Sequence, residues 1–508
     1  MNRMNNFKAE ILSEPELLFA YGQKSIDPKD GLGLFGPYDL QSSSQPRTLS
    51  CAVIGTKEGI EMFSSFYSRI TNAVISQKSI ESSKGYYLWT PFPGFEVITG
   101  ARLPQTPAFK REVSFEDLES CSRINDAYTR VSNVVKIFVD EIEKLSKRDE
   151  KIDVVICVVP EIVFMNCRIK SNVQNGIGDK PSRKDIEFNK AGQLDLFKTV
   201  NFDDYNYSLD FRRQIKAKSM KFKIPIQIIR ETSLALKDDF EKWKERDLTP
   251  LSDRAWNIST TLYYKSGGKP WKLASAREGV CYLGMSFRRS DNNMNSRTAC
   301  CAAQMFLDSG DGIVFLGEYG PWYSPEDKEF HLSRDAARKL IAGALNTYEN
   351  QEGIKLKELF IHSHSSINEE EFAGFCDGAP DDVKVIGIRI RKNNNIKLYR
   401  TGEYPVLRGT YIELTPKSSL LWASGFKTRL GTYDGHSIPI PLKIDIQHGD
   451  ANIYDVTKDI FALTKLNYNT CKLGESYPVT IKFSDAIGEI LVDNPKTENP
   501  CPNFKFYI

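Results

Sequence analysis

The sequence lacks the paired cysteines of zinc sites and redox motifs. Its ten cysteines include no C-x-x-C pair, and several lie in apolar runs such as V-V-I-C-V-V-P at 154–160. Thiols in such runs are typical of reduced, buried cysteines in a cytosolic protein. We therefore expect a cytoplasmic protein without a disulfide framework.

Two further absences narrow the class of protein. No apolar stretch reaches the roughly 18 residues needed to span a bilayer, and the N-terminal M-N-R-M-N-N-F-K-A-E has no apolar segment typical of a secretion signal. The formal net charge of +2 over 508 residues predicts no general attraction to polyanions. Contact with a membrane is therefore not expected, and any nucleic-acid site must be a local patch.

The chain is long enough for two or more domains, and its strand and helix patterns divide it into three parts. Residues 1–40 form an N-terminal segment, predicted to pack on the C-terminal domain, in which D-G-L-G-L-F-G-P-Y-D at 30–39 predicts ordered turns. In 41–275, strands alternate with helices, which predicts an α/β domain with a parallel sheet and a polar surface insertion at about 168–206. In 276–508, strands come first and then alternate with helices, which predicts a ribonuclease-H-like layer fold.

The strongest local charge asymmetry lies at 210–230, where seven residues are basic and one is acidic. Arg212 and Lys216 stand four residues apart on a predicted helix, so their like charges repel at about 5 to 6 Å unless an anion lies between them. Gln227 adds an amide donor, and Lys265 precedes the double glycine of Y-Y-K-S-G-G-K-P-W, where the backbone can approach a ligand closely. These four side chains predict a phosphate site, with a solvated basic helix as the alternative.

The same residues resemble a known pocket. The order R-x-x-x-K, a glutamine eleven residues after the lysine, and then K-x-G-G-x-P-W is similar to the guide 5′-phosphate pocket in the MID domain of Argonautes. The similarity extends to D-P-K-D-G-L-G-L-F-G-P-Y-D near the start, L-T-K-L-N-Y-N at 463–469 and P-V-T-I-K-F-S-D-A at 478–486, and so covers essentially the whole chain. It implies a MID domain with a Rossmann-like parallel sheet at 41–275 and a PIWI domain at 276–508, with no N or PAZ domain, as in short prokaryotic Argonautes.

The resemblance assigns binding roles position by position. It implies that the guide's 5′-phosphate is bound by Arg212, Lys216, Gln227 and Lys265. It also implies that the carboxylate of Ile508 reaches back to this pocket and helps to hold a Mg²⁺ ion, with a buried tail that completes the core as the alternative. Candidates for contact with guide-backbone phosphates are Thr464, Lys465, Asn467 and Arg429, for which surface or capping roles are the alternative.

The resemblance also implies where a cleavage site would lie. Cutting Argonautes hold two metal ions with carboxylates, and the equivalent positions here are Ser286, His364 and Asp485; the catalytic glutamate has no assigned equivalent, although Glu318 lies in its broad region. His364 and His362 stand in E-L-F-I-H-S-H-S-S, where two histidines taken alone would suggest a shared metal. Because Mg²⁺ needs several carboxylates to offset its charge, one clear carboxylate at three positions predicts a protein that does not cut.

The leading hypothesis is a binding protein: a catalytically inactive short Argonaute that loads a small guide RNA and pairs it with single-stranded target DNA. It resembles the Argonaute subunit of defence systems in which an APAZ-domain partner carries an effector, with TIR expected here and Sir2 or another type as the alternative. The resemblance implies a heterodimer able to oligomerise on target binding, and NAD⁺ depletion by the partner in defence against plasmids or phages.

Two alternative hypotheses come from other classes of function. An active nuclease would use a rebuilt metal site drawn from His362, His364, Asp485, Asp308 and Asp311. A metabolic enzyme would bind a phosphorylated small molecule, and its affinity for a guide RNA would not depend on the basic pocket.

Overall fold

The structure is a computed structural model that describes residues 9–76, 88–173, 204, 207–236, 248–289, 299–306, 312–352, 356–435, 437–494, 496–497 and 500–508. Most of the insertion predicted at 168–206 lies outside these residues. Within the described ranges, no helix is both long and apolar enough to cross a bilayer.

Strands and helices alternate through most of the described chain. The strands are β1 (Ala9–Ile11), β2 (Leu17–Leu18), β3 (Lys24–Ser25), β4 (Cys51–Gly55), β5 (Phe109–Glu112), β6 (Val154–Val159), β7 (Ile226–Arg230), β8 (Lys272–Leu273), β9 (Val280–Arg288), β10 (Ala299–Phe306), β11 (Gly312–Gly320), β12 (Tyr323–Ser324), β13 (Glu329–Phe330), β14 (Glu358–Ser363), β15 (Lys384–Lys392), β16 (Thr410–Thr415), β17 (Ser418–Trp422) and β18 (Leu442–His448). The α-helices are α1 (Pro28–Phe35), α2 (Lys57–Arg69), α3 (Phe95–Thr99), α4 (Phe115–Ser122), α5 (Ala127–Ser146), α6 (Glu161–Asn166), α7 (Phe211–Ser219), α8 (Leu251–Lys265), α9 (Arg334–Glu352), α10 (Glu369–Gly378), α11 (Ile453–Leu463) and α12 (Val479–Leu491).

The first large sheet is parallel throughout and has the strand order β5-β4-β6-β7. Every residue of β4 and β6 is buried. Helices cover both faces, since Cys51 and Val53 pack in one core cluster with α2 whereas Ala52 and Ile54 pack in another with α5. Strands buried on both faces need apolar residues at every position, which explains the continuous apolar runs in the sequence. The predicted parallel sheet is confirmed.

The second large sheet is mixed and has the order β1-β16-β17-β18-β15-β14-β9-β10-β11. Strands β9, β10 and β11 are antiparallel neighbours, whereas β14 and β15 run parallel to β9. Helices α9 and α10 cover one face, and α11 and α12 cover the other. Strands come first, as predicted, and α9 and α10 alternate with β14 and β15, whereas β15 to β18 follow one another and the two α-helices α11 and α12 come after them.

The N-terminal segment contacts both halves of the chain, because β1 pairs with β16 and β2 pairs with β8. The stretch at 30–39 was predicted to form turns, but most of it lies in helix α1. Asp27 caps this helix by accepting a hydrogen bond from the Lys29 backbone N–H at 2.9 Å. Gly31 serves packing rather than a turn, since a Cβ at this position would lie 2.1 Å from the Phe19 ring. The turn prediction was wrong for the part in α1, where a glycine needed for tertiary packing resembles a turn signal, whereas 38–39 do lie in a turn.

One buried carboxylate connects the two sheets. Asp493, just after α12, is 3% exposed. It accepts a hydrogen bond from Arg213 of α7 at 3.0 Å and two from Arg288 of β9 at 2.9 and 2.7 Å. Glu489 of α12 adds an ion pair with Arg213 at 2.9 Å. These contacts therefore hold helix α7 in a fixed position relative to β9 and α12. The domain boundaries at residues 40 and 275 stay predictions.

Candidate nucleic-acid interface

Two lysines from distant parts of the sequence meet beside its last residues. Lys216 lies on α7 and is 3% exposed, and Lys265 is the last residue of α8 and is 0% exposed. The Lys216 ammonium donates to the backbone oxygen of Tyr507 at 2.8 Å. The Lys265 ammonium donates to the backbone oxygens of Ile226 at 2.7 Å and Ile508 at 2.6 Å. The C-terminal backbone thus lines a site at which two buried ammonium groups converge.

The side chains at this site are basic, and the C-terminal oxygen of Ile508 offsets part of their charge. Among the described residues, neither lysine forms an ion pair with an acidic side chain. Burial, and then the positive charge of Arg212, lowers the pKa of Lys265 to about 7. Burial, Arg212 and Lys265 together lower the pKa of Lys216 well below its ordinary value. Burial disfavours the protonated, charged form of a lysine unless an anion lies beside it. This site therefore favours the binding of an anion.

The other two predicted phosphate ligands lie in the same region. Arg212 is exposed one turn before Lys216 on α7, and its charge acts on both lysines. Gln227 is on β7, next to Ile226, whose backbone oxygen is bonded by Lys265. The Gln227 amide donates to a neighbouring backbone oxygen at 3.0 Å, whereas its buried Oε1 has no partner among the described residues. A buried amide oxygen without a partner marks a place where a ligand or water would complete the hydrogen bonding.

The K-S-G-G-K-P-W segment forms the turn that follows α8. Gly267 has φ +103°, in the region that favours glycine, and a Cβ on Gly268 would lie 2.4 Å from the Tyr263 ring. The Tyr263 hydroxyl donates to Asp39 at 2.6 Å, and Trp271 is 1% exposed. The glycines therefore fix the end of α8 through packing and turn geometry. Sequence reasoning missed Asp39, although it ends a stretch that carried the family resemblance.

Three of the predicted guide-backbone ligands lie inside the fold. Helix α11 ends at Leu463, so Thr464 is its C-cap, and Lys465 and Asn467 follow the helix. All three are at most 5% exposed. Their respective partners, at 2.7, 2.8 and 2.6 Å, are Arg408, Glu14 and Glu475. A guide contact by these side chains stays a prediction.

Arg429 is the fourth guide-backbone candidate. It lies in the short 3₁₀-helix Thr428–Leu430, with a side chain that is 39% exposed. Its guanidinium donates twice to Asp30 of α1, at 2.9 and 2.7 Å. This ion pair fastens α1 to the loop before β18, and a contact with a guide stays a prediction.

The three positions aligned with a cleavage site come together at one end of the second sheet. Strands β9 and β14 are parallel neighbours, and their last paired residues are Met285 and Ser363. The next residue on each chain is Ser286 and His364, so these two positions are adjacent. The His364 Nε2 atom lies 3.5 Å from an Asp485 carboxylate oxygen on α12. The buried Ser286 Oγ has no hydrogen-bond partner in the described part of the chain.

The two neighbouring histidines have different environments. His362 is 1% exposed, its Nδ1 lies 3.0 Å from the Thr480 hydroxyl, and burial lowers its pKa to about 3. Burial also opposes protonation of His364, yet the hydrogen bond and charge of Asp485, together with the Ile390 carbonyl, raise the pKa of His364 above its ordinary value. His362 is therefore a neutral interior residue, whereas His364 pairs with Asp485.

The remaining metal-site candidates are Asp308, Asp311 and Glu318. Asp308 and Asp311 lie outside the described residues, and Glu318 lies within β11. Among the residues that the structure does describe, no group of three or more His, Cys, Asp or Glu side chains is placed to hold a metal ion.

Known proteins with similar folds were found among solved structures. The sequence matches no protein-family model. No curated protein matches it either. A structure of Clostridium butyricum Argonaute bound to a guide DNA and a 19-mer target DNA has a TM-score of 0.62 and 15% identity, covering 99% of this chain and 55% of that one.

Two Aquifex aeolicus Argonaute structures give the same result. A crystal structure of the protein has a TM-score of 0.57 and 14% identity, covering 98% of this chain and 56% of that one. A second, with externally bound siRNA, has a TM-score of 0.54 and 15% identity, again covering 98% and 56%. The chain therefore has an Argonaute-like α/β fold and spans about half the length of these Argonautes.

Proposed function

We propose that this protein binds a small guide nucleic acid by its 5′-phosphate and uses the guide to recognise a complementary single strand. The observation that carries the proposal is the pair of buried lysines, Lys216 and Lys265, which have no acidic side-chain partner among the described residues. It occurs in a chain whose fold resembles Argonautes along its length. The proposal assigns a MID domain to 41–275 and a PIWI domain to 276–508, without N or PAZ domains.

A terminal phosphate suits this site chemically. It carries between one and two negative charges near neutral pH and offers several acceptor oxygens. Lys216 and Lys265 would bind it with charge-assisted hydrogen bonds, Arg212 would close the exposed side, and Gln227 would add polar contact. The guide would thereby neutralise ammonium groups that are otherwise costly to bury.

We further propose that the guide is RNA, that the target is single-stranded DNA, and that the target is not cut. Support for the last point comes from the cleavage positions, where Ser286 and His364 supply no negative charge and Asp485 pairs with His364. A two-metal mechanism needs more carboxylate than this. Sequence would be read by base pairing, as in other guide-directed proteins.

The guide-loaded protein is expected to retain labelled complementary DNA and to leave it intact in Mg²⁺ or Mn²⁺. Gel analysis of the DNA and a filter-binding measurement on the same sample check the two parts. A non-complementary DNA of equal length is the control for guide dependence. Cleavage at a fixed distance from the guide's 5′ end would instead support the nuclease alternative. His364 and Asp485 would then be the first candidates for the cleavage site.

Signalling in this proposal belongs to a partner chain. The sequence carries no TIR or Sir2 motif, so we propose that an APAZ-domain protein, most often of TIR type, degrades NAD⁺ when target binding drives the heterodimer to oligomerise. The biological role would be defence against plasmids or phages. Co-purification from the native operon would identify this partner.

A Mg²⁺ ion at Ile508 is part of the proposal only with a guide bound. Lys265 already donates to the Ile508 oxygen, and two ammonium groups lie beside it. The residues present therefore supply too little negative charge to hold a divalent cation alone, and the guide's own phosphates would have to supply the rest.

The affinity for a 5′-phosphorylated guide is expected to fall as the pH rises above about 7. In the empty pocket the pKa of Lys265 is about 7, and a bound phosphate would raise it, so binding takes up a proton between the two values. In the guide-free protein, the charged form of Lys265 is fully present well below this lower pKa and is lost as the pH rises through it. Titrations from about pH 6.5 to 9 with 5′-phosphate and 5′-hydroxyl guides measure this effect. Lys265→Arg should flatten the profile, and an identical profile for both guides would contradict the assignment.

A further inference from the structure

The last two residues of β15 and the connection that leads from them toward β16 form a basic segment. We define the basic loop as residues 391–404, R-K-N-N-N-I-K-L-Y-R-T-G-E-Y. Between 391 and 402 it contains no acidic residue and four cations: Arg391, Lys392, Lys397 and Arg400. Connections of this length without regular secondary structure are uncommon in compact domains and usually serve a function.

The cations of the basic loop face solvent. All four cations are exposed, and in the described part of the chain none of them forms an ion pair with a carboxylate. Lysines on and just after α5 behave differently, since Lys136 pairs with Asp140 and Lys147 pairs with Glu143, each at 2.7 Å. A cluster of unpaired positive charge in a chain of nearly balanced composition points to an anionic partner.

Aromatic side chains hold part of the basic loop in place. The Lys392 ammonium lies 4.8 Å from the centre of the Tyr477 ring, and the Arg400 guanidinium lies 5.9 Å from that of Phe426. Phe426 also packs against Tyr404, with ring centres 4.6 Å apart. Tyr399, between these anchors, is 70% exposed. Cations that alternate with an exposed aromatic ring are the combination that single-stranded nucleic acids bind, through phosphate contacts and stacking.

Lys392 lies close to the positions aligned with a cleavage site. The Tyr477 ring, over which the Lys392 ammonium lies, also packs edge-on against the His364 ring, with ring centres 5.6 Å apart. His364 in turn lies 3.5 Å from Asp485. Lys392 is therefore separated from the His364–Asp485 pair by one aromatic ring, where a strand paired to a guide would pass if the proposed function holds.

We propose that the basic loop binds backbone phosphates of the target strand beside His364 and Asp485, with Tyr399 stacking on the same strand. This inference rests on the proposed function and specifies a surface for the target, not the guide. The contacts are independent of sequence, because phosphates carry no base identity. The loop then adds to the affinity for the target while base pairing decides which target is bound.

The test compares a triple variant of the loop, Lys392→Ala with Lys397→Ala and Arg400→Ala, with the unaltered chain. Both are loaded with the same guide, and target DNA affinity is measured over a series of salt concentrations. The triple variant should bind every complementary target at least about tenfold more weakly, with a slope of log affinity against log salt that is shallower by about 2 to 3. Its affinity for the 5′-phosphorylated guide should not change. Tyr399→Ala should weaken target binding without changing the salt slope.

A second triple variant controls for lost charge. Lys57, Lys110 and Lys384 are exposed lysines elsewhere on the surface, and their replacement by alanine should leave the salt slope as it is in the unaltered chain. An unchanged slope and affinity in the loop variant, while the unaltered protein binds target in a guide-dependent way, would overturn the loop assignment alone. Failure of the unaltered protein to bind target with its guide would overturn the proposed function as well.

Discussion

Lys216→Ala and Lys265→Ala are each expected to lower the affinity for a 5′-phosphorylated guide by about ten- to a hundredfold. A hydrogen bond to a charged group contributes about 1.5 to 3 kcal/mol, which corresponds to this range. Each lysine is buried beside the C-terminal backbone and meets no acidic side chain among the described residues. Apart from the Ile508 terminus, the phosphate would therefore be their charged partner. The loss for a 5′-hydroxyl guide should be much smaller, because that guide lacks the group these ammonium groups bind.

Fluorescence anisotropy with the two guides measures the difference directly. Lys221→Ala is the matched control, since Lys221 is an exposed lysine that follows the same helix, and it should change neither affinity by more than about twofold. Circular dichroism and a thermal unfolding curve would show whether either variant still folds. Equal losses for both guides in a folded variant would remove the phosphate pocket from the proposal and favour a general basic surface. No change for either guide would favour the metabolic-enzyme alternative.

Asp493→Ala is expected to lower the free energy of unfolding by about 3 kcal/mol. The carboxylate is 3% exposed and accepts hydrogen bonds from Arg213 and Arg288, so its removal leaves two guanidinium groups with fewer acceptors in a mostly buried place. Glu489 remains bonded to Arg213 at 2.9 Å and keeps the loss below that of a fully isolated charge. Chemical denaturation of the unaltered and variant proteins measures the difference.

Asp485→Ala is the control for this variant. Asp485 lies on the same region of the chain, but its side chain is 50% exposed and its partner His364 is 37% exposed, so its loss should cost less than about 1 kcal/mol. Asp493→Ala should also weaken binding of the phosphorylated guide, because Arg213 belongs to the helix that carries Lys216. A stability equal to that of the Asp485 variant would mean that the Asp493 contacts do not fasten α7 to α12.

Local sequence patterns predicted the elements that depend on neighbouring residues. The all-apolar runs of β4 and β6 identified strands buried on both faces, since only a covered parallel sheet requires apolar residues at successive positions. The alternation of strands with helices likewise predicted the parallel sheet of the first half. The spacing of Arg212, Lys216, Gln227 and Lys265, with its family resemblance, predicted a set of residues that the structure brings into one region.

Local patterns failed where distant contacts decide the outcome. Gly31 was interpreted as a turn signal, although it allows α1 to pack on Phe19. The sequence likewise could not show that the Lys465 ammonium lies 2.8 Å from Glu14, a residue some 450 positions earlier, and 2.6 Å from the Ile26 backbone oxygen; a guide contact by Lys465 stays a prediction. A pattern of neighbouring residues contains no information on such partners.

The sequence by itself determined that basic side chains would stand at a spacing suited to a phosphate, because that spacing follows from helix geometry and a short turn. Only the tertiary structure decided that Lys216 and Lys265 are buried, since the backbone of Tyr507 and Ile508 covers them from the far end of the sequence. That burial lowers the pKa values of both lysines and makes an anion the natural partner of the site. The physical reason is that charge is encoded residue by residue, whereas desolvation depends on which remote segments fold over that charge.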